Sequence, residues 1–95
     1  NQYYQFCQVA KIVSAVQRGK ADVSELTKAR AAIDAASKDR PNWGQAWGLR
    51  GEIEERSGNV DAAIAAFQRS IELGDVNPLR ARHLAALLLS QNKAD

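Results

Sequence analysis

The sequence predicts an all-α chain of about five helices, joined as antiparallel helix-turn-helix hairpins in series. Three observations carry that reading. Ala, Leu, Gln, Glu, Lys and Arg dominate, and the β-branched alternation of strands is absent. Turn-forming punctuation falls at short intervals: "RGKAD" (Arg18–Asp22), "RPN" (Arg40–Asn42), "SGN" (Ser57–Asn59) and "GDVNP" (Gly74–Pro78). Between these breaks, apolar residues recur at the spacing of one buried helix face.

The first helix is carried by Phe6, Val9, Ala10, Val13 and Val16, and Gly19 stands where it should stop. Asp22 and Glu25 have capping-box spacing ahead of the second, and Leu26 falls where a hydrophobic staple from Ala21 would land. Leu26, Ala29, Ile33 and Ala36 form its stripe. Asn42 is the expected N-cap of the third helix, whose stripe runs Ala46, Leu49, Ile53. Gly58 ends it and Asn59 caps the fourth, carried by Ile64, Phe67 and Ile71 and stopped at Gly74. Asn77-Pro78 is an N-cap followed by proline at the first helical position of the fifth.

The third helix poses a question. "WGQAWGLRG" (Trp43–Gly51) holds both tryptophans beside Gly44, Gly48 and Gly51. Each helical glycine costs about 1 kcal/mol relative to alanine. Such a stretch accepts glycine where something must come close. Trp43 and Trp47, four apart, share a face, and packing is the preferred reading over stacking on a ligand ring.

Composition bounds the function. Ninety-five residues with 45% hydrophobic and 25% charged side chains make one small globular domain. The net charge of +2 is spread without a like-charge block, so no nucleic-acid footprint is visible. The longest apolar run, Leu84–Leu89, is far short of the roughly 20 residues of a membrane span. No signal-peptide pattern opens the chain, and the lone Cys7 gives no internal disulfide, so a cytoplasmic setting is favoured. The absence of Met reads as a segment cut from a longer protein. Cys7 and His83 stand far apart in sequence with no orienting third group, and neither CxxC nor HxxxH spacing occurs. No enzyme, metal or cofactor is expected.

Gly44–Asn77 spans 34 residues and reads "GQAWGLRGEIEERSGNVDAAIAAFQRSIELGDVN". The tetratricopeptide repeat is a 34-residue helix-turn-helix with the pattern W-x2-L-G-x2-Y…A-x3-F…P. Trp47, Gly51, Ala63 and Phe67 fall on its W, G, A and F positions, and Gly58 on its inter-helix glycine. Ile64, Ile71 and Leu73 match apolar sites of its second helix. The segment resembles a tetratricopeptide repeat. Upstream, Ala29, Ile33 and Pro41 continue the frame as a degenerate repeat over 3–43 with an insertion. Downstream, 78–95 reads as the first helix of a truncated third repeat, with Leu84, Ala85 and Leu88 on its L, G and Y sites. Three residues depart from the pattern: Arg50 replaces Leu, Glu54 replaces Tyr and Asp75 replaces Pro. Arg50 and Glu54 are an i,i+4 pair that could neutralise each other. Either the helix is rotated, or a charged pair occupies a normally packed seam.

The resemblance implies hairpins stacked as a short right-handed α-solenoid, a single domain over 1–95, and a non-catalytic scaffold for protein–protein interaction. It implies a peptide or protein segment held on the concave face of the first helices. Carried over by position, that face comprises Tyr4, Cys7, Gln8 and Lys11, then Gln45, Gly48, Glu52 and Glu55, then Arg82, His83 and Ala86. Gly51 is expected to allow close helix approach, Gly44 to be a first-turn tolerance, and Gly48 to leave backbone accessible in the groove. Chaperone-binding members grip a terminal carboxylate with a lysine, asparagine and arginine clamp. Here the asparagines are missing and Glu52 and Glu55 would repel a carboxylate, so a basic or amphipathic peptide is expected. The alternative is a structural spacer, or a self-association segment forming a homo-oligomer through an exposed C-terminal helix.

Overall fold

The computed structural model of the chain describes residues 2–19, 22, 24–38 and 40–93, with only the backbone at 2, 3, 5, 17, 92 and 93. Five helices follow one another: α1 (Gln2–Gln17), α2 (Glu25–Lys38), α3 (Gly44–Arg56), α4 (Val60–Glu72) and α5 (Pro78–Lys93). Among the described residues there is no strand. α1 packs on α2 and α3 on α4 as hairpins, while α2 and α1 both reach α3 and α5 closes on α4. The molecule measures 42 × 30 × 19 Å, the flattened, elongated form of hairpins stacked in one direction.

Chain chemistry sets the helix ends. Gly58 follows α3 and Gly74 follows α4, with φ of 85° and 95°, a left-handed turn that a Cβ would oppose. In both, the glycine N–H and the one after it donate back into the last turn. Gly58 and Asn59 donate to Glu55 and Glu54 carbonyls, and Gly74 and Asp75 to those of Ile71 and Ser70. This is the Schellman closure, which satisfies carbonyls that the helix end would otherwise leave unpaired. Gly19, with φ of 73°, follows α1 and donates to the Val16 carbonyl. At the start of α5 the Asn77 side chain accepts from the Leu79 N–H at 3.0 Å, with Pro78 in the first turn.

Three expected starts differ. α2 begins at Glu25, so Asp22 lies outside it and accepts from the Glu25 N–H through its carbonyl instead. The staple from Ala21 lies outside the described residues. α3 takes Trp43, not Asn42, as its N-cap, and no side chain caps it. The reason is packing. The Trp43 ring stacks on Phe6 at 4.8 Å and lies under the Arg40 guanidinium at 4.5 Å, which fixes where the chain turns. Asn59 does stand at the N-cap of α4, but its side-chain amide donates to Glu54 instead of capping.

Two apolar clusters form the interior. The larger joins Val9 and Val13 of α1, Leu26, Ala29 and Ile33 of α2, and Ala46, Leu49 and Ile53 of α3. The smaller joins Ala63, Ile64 and Phe67 of α4 to Leu87 of α5. The predicted stripes of α2 and α3 are therefore the buried ones. Ile71 is exposed, however, and on α5 it is Leu87 that is buried while Ala85 and Leu88 face outward. α5 has packed by its own i,i+3 pair, Leu84 and Leu87, and not by the repeat's usual positions.

Between the clusters lies α3, and there two of its glycines are explained. A Cβ at Gly51 would lie 2.6 Å from the Phe67 ring, whose side chain is fully buried. A Cβ at Gly44 would lie 3.1 Å from the Ser70 carbonyl and 3.4 Å from the Leu73 side chain. Gly44 is thus more than a first-turn tolerance: the end of α4 rests on it. Gly51→Ala is expected to destabilise the fold by about 1–3 kcal/mol through overpacking against Phe67, despite alanine's better helix propensity. Urea denaturation of the purified chain would check this, and a stabilised variant would contradict the packing.

Candidate protein-binding surface

The third glycine leads to the surface of interest. The space over Gly48 is filled by Arg80: a Cβ there would lie 2.1 Å from the arginine Nε and 2.7 Å from its Cζ. The expectation that Gly48 leaves its backbone accessible is therefore corrected. Arg80 is 6% exposed, and a guanidinium can be buried only with partners for its charge. It has two. Nη1 lies 3.1 Å from Glu52 Oε1, and Nε donates to Asp75 Oδ2 at 3.2 Å.

Asp75, which stands where the family has proline, is also tied down. Ser70 Oγ lies 2.8 Å from the Gly44 carbonyl and 2.9 Å from Asp75 Oδ2, its single proton serving one of the two at a time. The other Asp75 oxygen accepts from the Asn77 N–H at 3.0 Å. One turn along α3, Glu55 Oε1 lies 2.7 Å from His83 Nδ1, and the His83 ring tilts against Phe67 at 5.7 Å. α3 and α5 are thus joined side by side by Arg80–Glu52 and His83–Glu55.

A second polar network holds α3 to α2. Glu54 is 4% exposed and accepts from Arg50 at 2.8 Å, from Arg30 at 2.8 and 3.2 Å, and from Asn59 at 2.9 Å. Arg50 also pairs with Asp34, and Arg30 donates to Ser57 Oγ at 3.0 Å. The predicted Arg50–Glu54 pair therefore forms. The stripe Ala46, Leu49, Ile53 faces the core, and the charged pair occupies the seam beside it. Burial pushes the Glu54 carboxyl up. The hydrogen bonds from Asn59, Arg50 and Arg30, with the Arg30 charge, outweigh burial and hold it down at about 2.

The sequence-derived site residues divide between places. Gly48, Glu52, Glu55 and His83 meet in the α3–α5 seam, where Arg80 engages the first two. Arg82 and Ala86 are exposed on α5, and Gln45 is exposed on α3. Tyr4 is exposed on α1 and Cys7 is half-buried there. Gln8 and Lys11 line an open cleft of about 550 Å³ with Ile12, Ala15, Gly19, Asp22 and Glu25, so this cleft draws nothing from α3 or α5. Arg80 is the residue that sequence reasoning missed. Its signal was a glycine followed four residues later by a glutamate on one helix face, a floor and a counter-charge for a guanidinium.

Stacked antiparallel hairpins whose first helices lie side by side define a helical-repeat protein. A family model for the tetratricopeptide repeat matches residues 14–78, and the chain belongs to that family. Comparison with curated proteins and with solved structures gave no match. Tetratricopeptide repeats bind proteins or peptides and are generally non-catalytic scaffolds. Among the described residues, no helix is long and apolar enough to cross a membrane, and no three His, Cys, Asp or Glu side chains stand together as a metal site.

Two predictions follow from the polar seams. The Glu54 carboxyl is lowered from 4.5 to about 2 on folding, so its contribution is full above the unfolded value. That contribution is lost as pH falls from about 4.5 towards 2, and is on the order of 3 kcal/mol. Glu54→Gln is expected to lower stability at neutral pH by about 2–3 kcal/mol and to flatten the acid limb of the stability–pH curve. Denaturant titrations across that acid range test both. Arg80→Ala, which strands Glu52 and Asp75, is expected to cost about 3–5 kcal/mol. Gly48→Ala should destabilise the wild type yet be neutral or stabilising, by up to about 1 kcal/mol, in the Arg80→Ala background. A double-mutant cycle reads this, and additive costs would separate Gly48 from Arg80.

Proposed function

We propose that the chain is a non-catalytic scaffold that binds a peptide or protein segment on the concave face of its first helices, α1, α3 and α5. The observation that carries this reading is the seam between α3 and α5. Arg80 and His83 pair with glutamates of α3 and tie the two helices together, with Gln45 exposed on α3 and Arg82 exposed on α5. A partner then meets a rigid face and loses less free energy to ordering the site. Tyr4, Gln8 and Lys11 of α1 extend that face in this reading, and the repeat boundaries are 3–43, 44–77 and 78–95. Function resides in this site and not in the fold alone.

A second reading, a spacer that self-associates, is favoured by one observation. Leu79, Leu88 and Leu89 of α5 are 45%, 39% and 59% exposed. Exposed leucines on one helix offer apolar area for self-association.

One experiment separates the two. Gln45→Trp places a bulky ring on the concave face, and Gln68→Trp places the same ring on the exposed side of α4. With helicity equal by circular dichroism, the wild type and the Gln68 variant are expected to capture the same protein from an extract of the source cells. The Gln45 variant is expected to lose it. Equal capture by both variants, or capture of the chain's own copies alone, would replace the groove reading with self-association.

A further inference from the structure

The chemistry of the partner follows from which charges on the first helices are already engaged. Among the described residues, the only carboxylates on α1, α3 and α5 are Glu52, Glu54 and Glu55. All three are held internally: Glu52 by Arg80, Glu54 by Arg30 and Arg50, and Glu55 by His83. A partner's cation could recruit Glu52 only by leaving Arg80 buried with fewer counter-charges, which costs more than an exposed pair returns. The repulsion expected from Glu52 is correspondingly reduced, because its Oε1 faces the Arg80 guanidinium, while Glu55 Oε1 is engaged by a hydrogen bond with His83.

The cations differ. Arg56 on α3 and Arg82 on α5 are exposed, and neither is in an ion pair or hydrogen bond among the described residues. Arg56 stands four residues beyond Glu52 and eleven beyond exposed Gln45, on one face of α3. On α5, Leu79, Arg82, Ala86 and Leu89 fall at i, i+3, i+7 and i+10, also one face, with Leu79 and Leu89 exposed. Leu87 and Leu84, by contrast, turn towards α4. Lys11 is exposed on α1, but Asp22 and Glu25 share its cleft.

We infer that the partner is an acidic amphipathic segment of another protein, whose side-chain carboxylates pair with Arg56 and Arg82 and whose apolar residues lie on Leu79 and Leu89. This rests on the groove reading above and reverses the basic peptide expected from sequence. Two exposed arginines, Arg82 on the face that carries Leu79 and Leu89, complement a segment that alternates carboxylate and apolar groups.

The test uses C-terminally amidated peptides of one length and leucine content, with glutamate, lysine or glutamine at the charged positions. Amidation removes the terminal carboxylate, so any preference arises from side chains. Fluorescence anisotropy is expected to show tightest binding by the glutamate peptide, weakening as salt rises. The Arg56→Glu/Arg82→Glu variant should lose roughly tenfold in affinity, and Lys38→Glu on the exposed side of α2 should lose little. Binding of the lysine or glutamine peptide as tightly as the glutamate one would overturn the inference. So would binding of none, or a single-stranded oligonucleotide displacing the glutamate peptide through the same two arginines. Whether the groove reading survives such a result is read separately, from the partner lost on Gln45→Trp.

Discussion

Close approach to α3 is the constraint on which the rest of the structure depends. Three glycines are placed so that three different neighbours can come within a side chain's thickness: the end of α4 at Gly44, Arg80 at Gly48 and Phe67 at Gly51. The helix gives up intrinsic propensity at each. In return it packs against every other helix it must join, with its one apolar stripe, Ala46, Leu49 and Ile53, turned to α1 and α2. The weak amphipathicity of α3 is a consequence: a helix surrounded on most sides has no single solvent face.

Where apolar contact is missing around α3, buried ion pairs take its place. Arg30, Arg50 and Asn59 converge on Glu54, and Arg80 bridges Glu52 and Asp75. Such pairs add modest net stability, because desolvation offsets much of the Coulomb attraction. Their larger effect is directional. A guanidinium forked between carboxylates tolerates little sliding, so they set the register of α2 and α5 against α3 more sharply than leucines would. Each polar group in these seams has a partner, and no buried side-chain nitrogen or oxygen among the described residues is left without one.

The same pairing shapes the surface offered to a partner. Charges committed within the seams are withdrawn from recognition, and those left exposed on the first helices are cationic. In the proposed reading, recognition depends on internal electrostatics as much as on the face that the repeat presents. Residues at family groove positions, such as Gly48 and Glu52, serve the fold here, while Arg56, which no site expectation included, lies open to solvent.

Much of the architecture was legible in the chain itself. The helix stops at Gly19, Gly58 and Gly74, the Asn77-Pro78 start and the stripes of α2 and α3 are local: each depends on a few neighbouring residues and on backbone geometry that no distant contact overrides. The Arg50–Glu54 pair was legible for the same reason, being one helical turn apart. Partnerships across 24 to 32 positions were not. Arg30 with Glu54, Gly48 with Arg80 and Glu55 with His83 meet only once the hairpins have stacked. The cap at Trp43 likewise required the ring to find Phe6. Sequence periodicity determined that helices form and which face α2 and α3 bury. Which charges remain free to meet a partner was decided by tertiary structure, because a carboxylate's availability depends on the cation that folding places beside it.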